Sequence, residues 1–405
     1  MGYLIGYITI AFVLLPLYYR LHLTSIYNYL NNRLGIHSYK TGASFFILSR
    51  TLGATARLYL VVKILQDAIL QSFNIPFWLT TMIILIMILL YTYEGGVKTI
   101  VWTDTLQTTC MLVGLIFCVV YILSNLHMSI GSSLEAMQHK GYSKIFFSDT
   151  NSKFFFLKQI IAGAFITITM TGMDQEMMQK NISVKTLKDS QKNVLTLGFI
   201  MLVVILLFLF LGGLLYLYAA EQNVTEIGDK IFPAIALHHM PAVVSIIFII
   251  ALISALFPSA DGAITALTAS FCIDIIGLQR RTDLTEIQKK KMRQRVHLSF
   301  AAIFLLFVLV YKWINNPSMI GVILKVAAYT YGPLLGLFSF GILLHRSVRD
   351  KLVPYICIAA PIICLMIDKY QKELFGSFEI GLELLIINGG LTFLGLLLIS
   401  KRQAI

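Results

Sequence analysis

Long apolar runs follow one another along nearly the whole chain, and short segments with charged or turn-forming residues separate them. A helix needs roughly 20 apolar residues to cross the hydrocarbon core of a bilayer. The following segments have about this length: 2–19, 42–70, 76–93, 99–125, 155–178, 190–219, 241–275, 293–315, 318–344, 352–369 and 377–400. The pattern therefore predicts an all-α, polytopic membrane protein with about eleven spans.

The composition agrees with this pattern. Apolar residues make up 58% of the 405 positions, charged residues make up 13%, and the mean hydropathy is +0.80. Soluble domains are about 45–50% apolar, so a soluble enzyme, a nucleic-acid-binding domain and a disordered protein are excluded. The sequence shows no nucleophile–base pair, phosphate loop or redox motif, so we expect neither an enzyme nor an obligate protein partner.

The positive charges are unevenly divided between alternate loops. The loops after odd-numbered spans and the C-terminal tail hold most lysines and arginines, above all the stretch from Arg280 to Arg295. Because such loops tend to stay in the cytoplasm, these loops and the C-terminus are predicted to be cytoplasmic, in the inner membrane of a bacterium. Met1 would then lie outside and directly before a span, from which we expect an upstream part of the protein.

Polar residues inside an apolar span are costly in lipid and indicate function. In the seventh span, Ser254, Asp261, Thr265 and Thr268 share one helical face, because they are spaced by 7, 4 and 3 residues. Pro258 on the same stripe frees the carbonyl of Ser254. Such an oxygen-only set suits a hard cation such as sodium. Tight helix packing would explain the small residues but not the aspartate.

Asp104 lies in the first turns of the fourth span, after a turn expected at Gly95 and Gly96. Its carboxylate can complete a cation site with Asp261, cap its own helix, or pair with Lys98. The residues alone leave these three alternatives open.

The second span carries Arg50 and Arg57, which share a face because they are seven residues apart. Arg57 lies roughly 20 Å along this helix, near the centre of the bilayer. An arginine there needs a counter-charge. It can hold the carboxylate of a solute through paired hydrogen bonds, or it can pair with Asp104 or Asp261.

In the fifth span, Thr167, Thr171 and Asp174 are spaced to lie on one face. This spacing predicts either a wall of the solute site or a packed seam between helices.

Kinked or flexible points are predicted at Pro258 in the seventh span and at Gly332, Pro333 and Gly336 in the ninth. Such hinges suit a helix that moves during transport, although channels and receptors contain them too.

Four motifs together resemble the sodium:solute symporter family, which includes bacterial sodium-coupled sugar, proline and sialic-acid carriers. The motifs are Thr24 to Gly35 (TSIYNYLNNRLG), Gly95 to Gln107 (GGVKTIVWTDTLQ), Asp174-Gln175 with Gln179-Lys180, and Ala255 to Asp274, which ends in Cys-Ile-Asp. With the Gly-Pro-x-x-Gly helix at 332–336, the resemblance extends from about residue 2 to residue 345.

The resemblance implies a LeuT-like inverted-repeat helical bundle with binding sites near broken helices at the midplane. Residues 1–405 would form a single transmembrane domain, in which about 2–125 are a remnant of the first repeat and 155–344 form the second. Residues 352–400 would form two peripheral C-terminal helices. The first span matches the third span of the family, so two spans are expected upstream of Met1.

The resemblance also implies site residues and sodium as the coupling ion. The main sodium site falls on Ala255, Pro258 and Ser259, and a second sodium position falls on Asp261, Gly262 and Asp104. We expect Asp261 to compensate for the hydroxyl that is lost at Pro258 and to shift the cation toward an Asp104/Asp261 pair, with Ser254 beside it.

The sugar carriers of the family use an Asn and an aromatic gate where this chain has Thr167 and Met170, beside Thr171. This difference argues against a galactose-type solute. A carrier for sialic acid uses an arginine near the positions of Arg50 and Arg57, so an anionic solute is favoured.

The leading prediction is therefore sodium-coupled symport of a small organic solute by alternating access, with the solute, sodium and the lipid bilayer as partners. A proton-coupled carrier, a membrane sensor and a non-transporting fragment of this family remain alternatives.

Overall fold

Helices account for nearly all of the structure, a computed structural model. It describes residues 1–23, 25–68, 70–226, 228–314 and 318–402, with side chains except at 68, 71–72, 91, 93–101, 103, 229, 256–259 and 402. The first helices are α1 (Gly2–Thr9), α2 (Leu15–Arg20), α3 (Asn28–Arg33), α4 (Ile36–Ala68), α5 (Phe77–Asn125), α6 (Ile130–His139), α7 (Phe156–Met170) and α8 (Gln175–Ile182). The remaining helices are α9 (Leu187–Glu221), α10 (Ile231–His238), α11 (Ala242–Ser270), α12 (Glu286–Ile314), α13 (Met319–Leu343), α14 (Val353–Lys369), α15 (Gln371–Phe375) and α16 (Leu384–Leu398).

The spans match the apolar runs of the sequence. Within the described ranges, 8 helices are long and apolar enough to cross a membrane, and the bent pair α7–α8 makes up to 9. Two shorter apolar stretches, Phe77–Leu90 in the first part of α5 and Leu384–Leu398 (α16), lie at the two remaining predicted spans. The π-helical turn Ile10–Leu14 joins α1 to α2, and the π-helical turn Phe271–Ile276 extends α11. The all-α, polytopic expectation is confirmed.

Two local predictions are wrong. The turn expected at Gly95 and Gly96 is absent, because the backbone of α5 is helical throughout its 49 residues. A glycine in a helix costs only about 1 kcal/mol, so two glycines do not by themselves end one. The single span expected over 155–178 is instead broken, since α7 and α8 are bent by 70°.

Tyrosine side chains satisfy the backbone at this break. The hydroxyl of Tyr18 donates to the carbonyl of Gly172 over 2.9 Å, and that of Tyr27 donates to the carbonyl of Met173 over 2.8 Å. The Asp174 carboxylate then caps α8 by accepting from the amides of residues 176 and 177. A break inside a membrane protein is tolerated only where such groups find internal partners.

The loops gather at two ends of the bundle. At one end, the Asp350 carboxylate accepts from the amides of His37 and Ser38 over 2.7 and 2.8 Å, and Arg33 donates to the carbonyl of Gly341 over 3.2 Å. Nearby, the strands β1 (Arg346–Val348) and β2 (Ser400–Arg402) pair antiparallel.

At the other end, the amide of Glu379 donates to the carbonyl of Asn151 over 2.8 Å, and Lys158 donates to the carbonyl of Glu379. Each of these contacts joins loops that the charge distribution assigns to the same set. That the first set faces the cytoplasm stays a prediction.

Pro333 lies inside α13 without ending it. Proline lacks an N–H, so the carbonyl four residues earlier, on Tyr329, loses its helical partner. The Asn388 amide on α16 donates to that carbonyl and to the carbonyl of Ala328, both over 2.9 Å. Gly332 faces Asn388 closely enough that a Cβ would collide with it. The predicted hinge is thus also the place where α16 docks.

We expect Asn388→Ala to destabilise the protein by about 1–3 kcal/mol, because two buried carbonyls lose their donor. In a Pro333→Ala background the same change should cost less, since the new N–H of residue 333 can donate to the carbonyl of Tyr329. Thermal unfolding of the four proteins in detergent measures both effects. Equal costs in the two backgrounds would contradict this account of Asn388.

Candidate functional site

A buried arginine marks the centre of the candidate site. Arg50 on α4 is 6% exposed, and its guanidinium forms a close ion pair with Glu176 on α8. A second guanidinium nitrogen lies 3.7 Å from the Asp174 carboxylate, which also accepts from the Tyr331 hydroxyl over 3.2 Å. Arg50 is therefore neutralised by the protein itself.

The chain of charges continues from Glu176 to α5. The ammonium of Lys180 lies 3.4 Å from the Glu176 carboxylate and 2.9 Å from that of Asp104. The structure shows Asp104 in an ion pair with Lys180, and the side chain of Lys98, its predicted partner, lies outside the described residues. On the other side, Gly262 of α11 lies against the Glu176 carboxylate so closely that a Cβ would overlap it. Helices α4, α8 and α11 thus meet at the Glu176 carboxylate, and Lys180 links α5 to it.

Helices α5 and α11 run antiparallel, which brings Asp104 and Asp261 to matching levels. Gly114 packs on Ala251. Further along, the ring of His297 lies 3.2 Å from the hydroxyls of both Thr92 and Thr268. Asp104 lies ten residues before the Gly114 contact, and Asp261 lies ten residues after the Ala251 contact. Asp261 is fully buried, and its carboxylate accepts from the amide of the next residue.

Buried oxygen atoms line this part of the bundle. Oδ1 of Asp104, Oε1 of Gln107 and Oγ1 of Thr265 are buried and have no hydrogen-bond partner in the structure. Oxygen atoms of carboxylates, amides and hydroxyls are the ligands that hard cations prefer. No three His, Cys, Asp or Glu side chains converge as a metal centre in the described part of the chain. The donor set suits sodium better than a transition metal.

The predicted sodium ligands on α11 are partly described. Ser254 and Ala255 are partly buried, and Ala255 lines an apolar cavity of about 250 Å³ together with Ile64 of α4. The backbone of α11 is helical through 256–259. The side chains of Pro258 and Ser259 lie outside the described residues.

Arg57 differs from Arg50 in its surroundings. Like the Nε of Arg50, the Nε of Arg57 is buried without a hydrogen-bond partner, so the two residues differ in their ion pairs. Among the described residues Arg57 forms no ion pair, whereas Arg50, two turns earlier on the same face, has two. Gly53 leaves the space beside the Arg57 guanidinium open. Arg57 is therefore the described cation of the site that is best suited to an anion from outside.

The other predicted solute residues lie elsewhere. Thr167 is buried in the seam between α7 and α1, where it packs on Gly6 and donates to the carbonyl of Gly163 over 3.0 Å. Met170 packs against the main core, and Thr171 ends α7. Since the helix breaks before Asp174, these side chains do not form one wall with it.

Two central residues, Glu176 and Lys180, were not predicted from the sequence. Their spacing of four residues places them on one helical face, where opposite charges commonly pair. That spacing was visible in the sequence. Their burial was not, because it follows from the break that turns α8 into the bundle.

Arg50→Met should lower the thermal stability strongly, by about 3–5 kcal/mol, because Glu176 would remain buried without its main cation. Arg50→Met with Glu176→Met removes both charges and should cost less than the sum of the single changes. Lys185→Met at an exposed position serves as the control. Additive losses in a double-mutant cycle would show that the pair is not coupled.

Comparisons with known proteins agree with this architecture. A model of the sodium:solute symporter family matches residues 1–350. The chain is 23% identical over 397 residues to the sodium/sialic acid symporter SiaT of Proteus mirabilis (strain HI4320), covering 93% of this chain and 77% of that protein. It is also 23% identical over 389 residues to the sodium/sialic acid symporter NanT of Aliivibrio fischeri (strain ATCC 700601 / ES114), covering 93% and 75%.

A solved structure is similar as well. The substrate-bound outward-open state of a Na⁺-coupled sialic acid symporter superposes with a TM-score of 0.80 at 18% identity, covering 100% of this chain and 85% of that one. This likeness establishes the LeuT-type fold. Since the family model spans most of the sequence, the chain belongs to the sodium:solute symporter family, whose members are integral membrane transporters coupled to sodium.

Proposed function

We propose that this protein carries a small organic anion across the membrane together with sodium. The observation that carries the anionic assignment is Arg57, a cation inside the bundle that forms no ion pair among the described residues, whereas Arg50 forms two. Arg50 on the same face cannot serve equally well, because Glu176 and Asp174 already neutralise it. A guanidinium binds a carboxylate through two parallel hydrogen bonds. Sialic acid, the solute named for the two relatives, carries such a carboxylate.

Positive charge also borders the end of α4 beyond Arg57. A cavity of about 430 Å³ opens there between Lys63, Gln66 and Lys312, with Asp67 at its edge. The two lysines lie over the rings of Tyr59 and Phe77. A cleft with an excess of positive charge raises the local concentration of anions. We assign this cavity to the entry of the solute from the outer side.

The charges of the site support a bound cation. Its carboxylates are Asp104, Asp174, Glu176 and Asp261, and its cations are Arg50, Arg57 and Lys180. Among the described side chains of the site, carboxylates outnumber cations by one, and a net charge inside a membrane protein is costly. A sodium ion beside Asp261 on α11 would restore neutrality, with Ser254, Ala255 and Ser259 as neighbouring ligands.

The cycle follows from these positions. Sodium binds beside α11 and the solute binds at Arg57, both more tightly in the outward-facing state, and the sodium gradient then drives the change of state. We assign the repeats to residues 2–125 and 155–344, with Gly332, Pro333 and Gly336 as the hinge of α13. The C-terminus is placed in the cytoplasm and the protein in a bacterial inner membrane.

Arg57→Met should raise the KM for an anionic solute by about 10–100-fold, because a charge-assisted pair of hydrogen bonds is lost. Arg57→Lys should have a smaller effect, since it keeps the charge but not the paired geometry. Sodium-driven uptake of radiolabelled sialic acid into proteoliposomes measures both, with Lys185→Met as the control. An unchanged KM in Arg57→Met would contradict the role of Arg57.

Asp261→Asn should raise the sodium concentration that gives half-maximal thermal stabilisation by at least about tenfold, because the carboxylate beside the ion is lost. The midpoint of unfolding is measured against sodium chloride, with choline chloride keeping the ionic strength constant. Asp283→Asn, in an exposed pair with Arg281, is the matched control. An identical sodium dependence in Asp261→Asn and the parent would rule out this site.

A further inference from the structure

Lys180 occupies an unusual position for a lysine. Its ammonium lies between two carboxylates, 2.9 Å from Asp104 and 3.4 Å from Glu176, and only 28% of the side chain is exposed. Glu176 is 5% exposed, and Oδ1 of Asp104 is buried without a partner. Asp104 of α5 and Glu176 of α8 would form a site for a free cation if the ammonium of Lys180 did not lie between them.

We propose that Lys180 is a built-in cation that keeps sodium away from Asp104, so that the protein binds one sodium ion rather than two. This inference rests on the proposed sodium-coupled function. It divides the carboxylates of the site into two groups: Asp104 and Glu176 share the ammonium of Lys180, and Asp261 on α11 takes the sodium.

Electrostatic repulsion gives the reason. A sodium ion in contact with the remaining oxygen of Asp104 would lie roughly 4 Å from the ammonium, since both cations contact the same carboxylate. At the effective dielectric of a protein, two like charges at this distance repel enough to weaken binding by several hundredfold. A second sodium would then not bind at ordinary concentrations.

The position is also poised to accept sodium once the ammonium is removed. Asp104 and Glu176 would keep their charges, and Oε1 of Gln107, one turn beyond Asp104 on α5, is buried without a partner. Carboxylate and amide oxygens would then face the space that the ammonium left. A purely structural ion pair would lose stability in the same variant but would not gain a sodium ion.

The test counts sodium ions in the full chain, purified in detergent. Equilibrium binding of radioactive sodium gives the number of ions per chain, and the dependence of the unfolding midpoint on the logarithm of sodium concentration gives it independently. The variants are Lys180→Met, Lys180→Arg, Asp104→Asn and the double change Lys180→Met with Asp104→Asn. Lys185 is an exposed lysine in the loop that follows α8, and Lys185→Met is the matched control.

The expected result is one more sodium ion per chain in Lys180→Met than in the parent, and no gain in Lys180→Arg, in the double variant or in the control. An equal count in Lys180→Met and the parent overturns the proposal. If Lys180→Met does not fold even in high sodium, Asp104→Asn decides. If the unfolding midpoint of Asp104→Asn depends on sodium concentration to within about twofold of the parent, the proposal is supported. If that dependence is lost, the proposal is overturned, because sodium would then bind at Asp104 itself.

A different measurement, the sodium dependence of the parent protein alone, tests the proposed function. A parent protein without any sodium response refutes sodium coupling. The inference about Lys180 is judged only by the difference between each variant and the parent, so the two failures are separable.

Discussion

The structure depends on the buried chain of charges from Arg50 through Glu176 and Lys180 to Asp104. Ions are expensive to bury, and removing one partner exposes the other to an environment without water. Because the four residues belong to α4, α8 and α5, those three helices cannot separate without breaking at least one ion pair, and Glu176 also packs closely on Gly262 of α11. The chain therefore holds the centre of the bundle together and fixes which charges remain for ligands.

The break between α7 and α8 makes this arrangement possible. A continuous helix would have carried Glu176 and Lys180 onward along the axis of α7 instead of turning them by 70° into the bundle. The exposed backbone at the break is satisfied by Tyr18 and Tyr27, which come from the region of the first span. Pro333 illustrates the same rule on α13, where Asn388 satisfies the carbonyl that proline leaves free. In both places a polar side chain from another helix stabilises an irregular backbone.

The sequence predicted the class of fold, the approximate spans and the helices that carry the site, because these depend on apolar length and on helical periodicity. It singled out Arg50, Asp104 and Asp174, which the structure links through ion pairs, but not their partners Glu176 and Lys180. Glu176 belongs to a short polar segment at the end of a predicted span, and only the break places it inside. The solute role of Thr167 stays a prediction, but its surroundings illustrate a second limit of the sequence. Residue spacing predicts which face of α7 carries Thr167. It does not predict which helix packs on that face, and the structure shows that this helix is α1, which contacts Thr167 through Gly6.

The pairing of Arg50 and Lys180 with carboxylates of the protein also gives a physical basis for the proposed coupling between sodium binding and solute binding. While the solute site is empty, Arg57 is the nearest spare cation for the carboxylates of the centre, and its field opposes the binding of sodium. An anionic solute on Arg57 cancels that field, so sodium binds more tightly when the solute is present. By linkage, sodium strengthens the binding of the solute by the same factor. Coupling then requires no direct contact between ion and solute. It requires only that Arg50 and Lys180 remain paired with their own carboxylates while the proposed solute at Arg57 and the proposed sodium ion beside Asp261 bind.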